Sequence, residues 1–109
     1  MVVDREAAVT AEAAPALRAL ADPLRARIVE LLATEQLCVC HLTEELGAAQ
    51  PLVSHHLKVL RDAGLVEGER WRYWTYYRLR PQALRAIAAR LEDLADDAPT
   101  AADERRPCC

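Results

Sequence analysis

The sequence predicts a mainly α-helical domain with one β-hairpin, arranged as a winged helix-turn-helix. Three observations carry this. Apolar residues recur at helical spacing from Leu24 to Leu32, from Leu42 to Leu60 and from Leu84 to Leu94. The run Gly47-Ala48-Ala49-Gln50-Pro51 then splits the middle block into two short helices joined by a tight turn. Directly afterwards the period changes, and Leu65 to Leu79 becomes rich in β-branched and aromatic residues, the pattern of a hairpin.

Residues 1–10 have weak periodicity and are expected to form a flexible N-terminal tail. Ala11 to Ala21 is rich in alanine and leucine and predicts a helix with Pro15 in its first turn. Asp22-Pro23 is a helix start, an N-cap followed by proline at the first helical position, and the stripe Leu24, Ile28, Leu31, Leu32 carries that helix to about Ala33. In the helix-turn-helix, Leu42 and Leu46 form one apolar stripe, and Leu52, Val53, Leu57, Val59 and Leu60 form the other. The hairpin is expected to have its tip near Arg70-Trp71-Arg72. Pro81 opens a last helix, Gln82 to about Ala95, with Leu84, Ile87, Leu91 and Leu94 on one side; this face and the N-terminal helix make a dimer surface, although the same face would also serve to close a monomer core. The domain thus spans 11–96, and 97–109 is read as a flexible C-terminal tail ending in Cys108-Cys109.

At 109 residues, 52% hydrophobic and 28% charged, the chain has the size and balance of one globular domain. No stretch is apolar enough to span a bilayer and the N-terminus lacks a signal-peptide pattern, so a cytoplasmic protein without a membrane partner is expected. Four cysteines in that setting predict reduced thiols and not a disulfide framework. The net charge of −3 argues against a polyanion partner until its distribution is considered. Between Gln50 and Arg80 six basic residues (Lys58, Arg61, Arg70, Arg72, Arg78, Arg80) face three acidic ones (Asp62, Glu67, Glu69), a local excess of +3, while the acids gather at both ends.

That basic middle coincides with the second motif helix, whose polar positions hold Gln50, Ser54, His55, His56 and Lys58. Such side chains hydrogen-bond base edges or phosphates, yet a solvated helix face has the same composition. A hairpin placed directly after a helix-turn-helix is a wing, and its arginines would grip phosphate or enter a minor groove. Together they favour double-stranded DNA as partner, with Gln50, Ser54, His55 and Lys58 on the helix and Arg70 and Arg72 on the wing as the contacting residues.

Leu37-Cys38-Val39-Cys40-His41-Leu42, Val53-Ser54-His55-His56-Leu57-Lys58-Val59-Leu60-Arg61 and Tyr77-Arg78-Leu79, in this order, resemble the ArsR family of dimeric winged-helix repressors, and in particular its arsenic-sensing branch. The resemblance covers about Leu17 to Leu94. It implies a homodimeric repressor that holds the operator of arsenic-resistance genes until arsenic(III) or antimony(III) binds thiolates and lowers its affinity for DNA, with no further cofactor required and no enzymatic activity.

The chemistry of the thiols fits a soft, thiophilic ligand. Cys38 and Cys40 lie about 200° apart on a regular helix but on one side of an extended segment, so the motif helix is expected to begin near Cys40. Some members of the branch carry a third cysteine where this chain has Thr43. Cys108 or Cys109 is the remaining thiol supply, and a tail of about a dozen residues reaches tens of ångströms. His41 stands where the family often has an acid; a ligand, a helix-start polar group and a solvent-facing residue are the three readings, and the last is the expected one. Zinc sensors of the family use acids and histidines on the last helix, where this chain has no histidine; cadmium and lead would still suit a thiolate cage. A redox switch through interchain disulfides is a second reading. A thiol enzyme or metal-transfer protein is a third, disfavoured by three glycines, no phosphate-cradling loop and no evident base for a thiol nucleophile.

Overall fold

The computed structural model describes residues 13–108; the expected N-terminal tail, the start of the first helix and Cys109 lie outside them. The described chain runs through helix α1 (residues 13–20), α2 (Pro23–Leu32), α3 (Val39–Leu46) and α4 (Gln50–Asp62), then strands β1 (Val66–Trp71) and β2 (Trp74–Leu79), and ends in α5 (Pro81–Asp97). This is a winged helix-turn-helix. No helix among the described residues is long and apolar enough to cross a membrane.

Local chemistry sets the boundaries. Ala13, Ala16 and Ala19 are buried at 4%, 3% and 2% exposure, so α1 approaches the core through a face of small side chains. Asp22 caps α2 by accepting the Arg25 amide at 3.0 Å, and Pro23 occupies its first turn. Gly47 ends α3 with φ 60° and ψ 29°, a left-handed conformation that a side chain would strain. Pro51 then sits in the first turn of α4, as the sequence predicts.

Ile28, Leu42, Val53, Leu57, Leu60, Leu65 and Val66 form the fully buried centre of the core. Burying each contributes about 1.5–3 kcal/mol. These residues hold α4 against α2, α3 and β1. In α4 the buried set is Val53, His56, Leu57 and Leu60, positions i, i+3, i+4 and i+7. That corrects the expected stripe. Leu52 lies about 100° off this line and is 46% exposed, while His56 turns inward and leaves the polar face.

The hairpin is antiparallel, with Val66 opposite Leu79 and Trp71 opposite Trp74. This register centres the turn on Arg72-Tyr73, beyond the expected Arg70-Trp71-Arg72. Gly68 lies under Tyr77: a Cβ there would stand 3.1 Å from the Tyr77 ring and 3.1 Å from the Thr75 methyl. Leu37, ahead of α3, joins the wing as an isolated bridge, donating to Tyr77 O at 3.2 Å and accepting from Tyr77 N at 2.8 Å. The wing and the start of α3 are therefore tied together. Of the expected apolar side of α5, Ile87 is buried and Leu84 half-buried, whereas Leu91 and Leu94 are 49% and 50% exposed. Residues 98–108 are exposed and form neither helix nor strand.

Candidate functional site

Cys38 is the N-cap of α3, in extended backbone at φ −89° and ψ 172°, and its carbonyl accepts the Leu42 amide at 3.2 Å. The helix begins at Val39, one residue before the expected start. His41, at the third helical position, reaches back as the acid of a capping box would, its Nδ1 accepting the Cys38 amide at 3.2 Å. The same nitrogen stands 3.2 Å from the Cys38 Sγ. His41 is exposed, as expected, and serves in addition as a helix-start group. The His41 ring also lies 6.2 Å from that of Tyr76 on the wing.

The two thiols of this turn differ in access. Cys38 is 7% exposed and Cys40 is exposed, so one sulfur is held by the fold and the other stands in solvent. Thr43, at the position of the missing third cysteine, donates its hydroxyl to Cys40 O at 2.8 Å. Cys108 is exposed at the far end of the chain. Among the described residues no three His, Cys, Asp or Glu side chains are grouped closely enough to hold a metal ion. The single chain thus brings Cys38 and Cys40 to one helix start and does not bring Cys108 to them.

On α4, Gln50, Ser54, His55 and Lys58 are all exposed. Gln50, Ser54 and Lys58 follow one another at i, i+4 and i+8, a single ridge one helical turn apart, with His55 beside it. Lys58 bonds Asp62 at 2.7 Å, and this bond holds the Asp62 carboxyl below its ordinary range. The pair is well exposed and gives way readily to a phosphate. On the wing, Arg78 binds both Glu67, at 2.8 Å, and Glu69; these bonds raise the Arg78 pKa and occupy the two acids of β1. No carboxylate among the described residues bonds Arg70 or Arg72, which remain as positive charge at the tip.

Arg72 has φ 58°. It is the first residue of a two-residue hairpin turn, a position where glycine is preferred when φ is positive. Arg72→Gly is therefore expected to stabilise the hairpin by about 0.5–1 kcal/mol while removing a tip charge. Thermal unfolding and duplex binding, measured side by side, should move in opposite directions; a variant that gains affinity along with stability would contradict a DNA-contacting Arg72.

His56 and Arg25 were not legible as a pair in the sequence. Arg25 is the hub between α1, α2 and α4: its Nε donates to Ala19 O at 2.7 Å and its Nη1 lies 3.2 Å from His56 Nδ1. A guanidinium only donates, so His56 accepts through Nδ1 and is neutral. Burial pushes the His56 pKa below its ordinary 6.5, Asp22 opposing and Arg25 and His55 adding to the shift. The unfolded chain takes up this proton first, so the stabilisation is complete above pH 6.5 and is lost as pH falls through the lower folded value. Thermal unfolding between pH 7.5 and 5 should show this loss (about the range set by an ordinary histidine). His56→Gln, which keeps an acceptor and cannot titrate, is expected to flatten it; an unchanged slope would place the pH dependence elsewhere.

Residues 22–68, from the α2 cap to the first half of the wing, match the family model described as bacterial regulatory protein, arsR family. The chain is 44% identical over 80 residues to the arsenic resistance transcriptional regulator ArsR1 of Pseudomonas putida, a match covering 72% of this chain and 62% of that one. It is 49% identical over 71 residues to the HTH-type transcriptional repressor SmtB of Mycobacterium tuberculosis, over 65% of this chain and 53% of the relative. The match therefore spans less than two thirds of either relative. Among solved structures, a homodimeric winged helix-turn-helix DNA-binding domain of Mycobacterium bovis, described as a possible ArsR-family regulator, superposes with a TM-score of 0.70 at 32% identity, covering 86% of this chain and 87% of that domain. With the cysteine-bearing helix start, the exposed α4 ridge and the basic wing all inside or beside the matched segment, the chain belongs to the arsR family of bacterial regulatory proteins.

Proposed function

We propose that the protein is a cytoplasmic homodimeric repressor that binds the operator of arsenic-resistance genes and is released when arsenic(III) or antimony(III) binds its cysteine thiolates. The observation that carries this reading is the placement of Cys38 and Cys40 at the start of α3, the helix that packs directly on α4. The relatives named for arsenic resistance support the choice of ligand. Double-stranded DNA is read by Gln50, Ser54, His55 and Lys58 from the major groove, with Arg70 and Arg72 on the flanking backbone or minor groove.

The burial of Cys38 sets the mechanism. To serve as a ligand beside Cys40, its sulfur must leave His41 and the core, which opens the capped first turn of α3. Cys108 or Cys109 supplies the third sulfur, from the same chain or across the dimer. The opened turn no longer holds α4 at the tilt that matches two half-sites about one helical turn apart, and DNA affinity falls. Cadmium and lead also suit a soft thiolate site, which gives those ions a place in the test.

The test is the dissociation constant of a promoter duplex with and without saturating arsenite, antimonite, cadmium or lead. The expected result is a weakening of about 5–150-fold with arsenite and antimonite. An unchanged constant with both would remove the metalloid reading, and release by cadmium or lead alone would replace it with a divalent-metal sensor.

A further inference from the structure

The tip of the wing carries more aromatic surface than a charged, phosphate-gripping loop requires. Both tryptophans of the chain and one of its three tyrosines fall within Trp71-Arg72-Tyr73-Trp74. Trp71 and Trp74 stand opposite each other at the last ladder position and are 56% and 51% exposed. Tyr73, in the turn between them, is 87% exposed. Beside it the Arg72 guanidinium stands 4.6 Å above the Trp71 ring, poised by a cation–π contact. Positive charge and flat apolar rings on one loop suit a polyanion that also offers stacked flat faces, which is the chemistry of a nucleic-acid duplex.

We infer that the tip enters the minor groove beside each half-site and that Tyr73 wedges against a base step there. The affinity of the protein then depends on how easily a base pair step outside the major-groove contacts unstacks. Arginine is drawn to a narrow minor groove, and side-chain wedges kink duplexes most easily at flexible pyrimidine–purine steps, of which TA is one. Tyr73 is thus a specificity-determining residue for flanking sequence, and Arg72 the charge that brings it into the groove. This inference rests on the DNA-binding reading above but is independent of the inducer.

The test starts from the duplex that the full chain enriches from a random pool, prepared with a TA or a GC step at each position flanking the half-sites. The wild-type chain is expected to bind the best TA-flanked duplex about five- to tenfold more tightly than its GC counterpart. Tyr73→Ala, at a position too exposed to affect folding, is expected to narrow that preference to within about twofold, and Tyr73→Phe, which keeps the ring, to restore it. The two tryptophans report directly, and their emission should be quenched on binding the TA duplex. Equal discrimination by wild type and Tyr73→Ala, or unaltered emission, overturns the wedge while leaving DNA binding intact. Failure to enrich any duplex overturns both. A Tyr73→Ala chain that binds naked duplex like wild type yet fails to repress in cells would assign the tip to a protein partner and overturn the inference as well.

Discussion

A chain carrying Leu91→Glu and Leu94→Glu is expected to sediment as a monomer and to bind a palindromic duplex at least about 100-fold more weakly than wild type. The 17-residue α5 is longer than the domain needs: Ile87 is buried and Leu84 half-buried, but Leu91 and Leu94 are 49% and 50% exposed. Leu17 on α1 is a further large side chain left 39% exposed. Exposed large apolar side chains on terminal helices suit an association surface, and a two-fold partner presents the same residues in return. The size of the effect comes from linkage. In a dimer, docking one half-site holds the second reading helix beside its own half-site at high effective concentration, and a monomer loses that gain without losing any contact of its own. Both substituted positions are exposed, so the fold should persist and circular dichroism should be unchanged. A variant that remains dimeric would place the interface elsewhere.

Cys38→Ser is expected to abolish the arsenite response. In wild type the ratio of operator dissociation constants with and without arsenite should lie at about 5–150, and in the variant near 1. Serine is a favourable choice for this test because it is among the preferred N-cap residues. It can satisfy the start of α3 in place of the thiol, so the helix and its packing on α4 are retained while the soft donor is lost. Cys40→Ser removes an exposed donor with no capping role and should give the same loss. Fluorescence anisotropy of a labelled duplex gives both constants. A Cys38→Ser chain that still lets go of DNA in arsenite would mean that the buried thiol is not part of the switch.

The features that declare the architecture are local and were legible in the sequence. Asp22-Pro23, Gly47 and Pro51 each act on their own backbone, and each starts or ends a helix as expected. The exposed row Gln50, Ser54, His55, Lys58 was readable from helical spacing, and the wing arginines from the change to a hairpin pattern. What escaped depends on contacts distant in sequence. His56 looks polar in a list of residues, but Arg25, 31 positions earlier, gives its ring a partner inside the domain, and this makes burial tolerable. That the exposed His41 also caps α3 depends on the conformation of Cys38, next to the bridge from Leu37 to Tyr77 some 40 residues later. The hairpin tip was displaced because strand composition marks a wing without fixing its register, which here comes from Val66 opposite Leu79.

The most direct measurement is the sulfur count at bound arsenic by X-ray absorption, on the wild-type chain and on Cys38→Ser/Cys40→Ser. If the start of α3 is the metalloid site, wild type should show arsenic surrounded by sulfur alone, with the α3 pair completed by a tail thiol, and the double variant should fail to retain the metalloid. An arsenic–sulfur environment that is the same in both proteins would contradict the account.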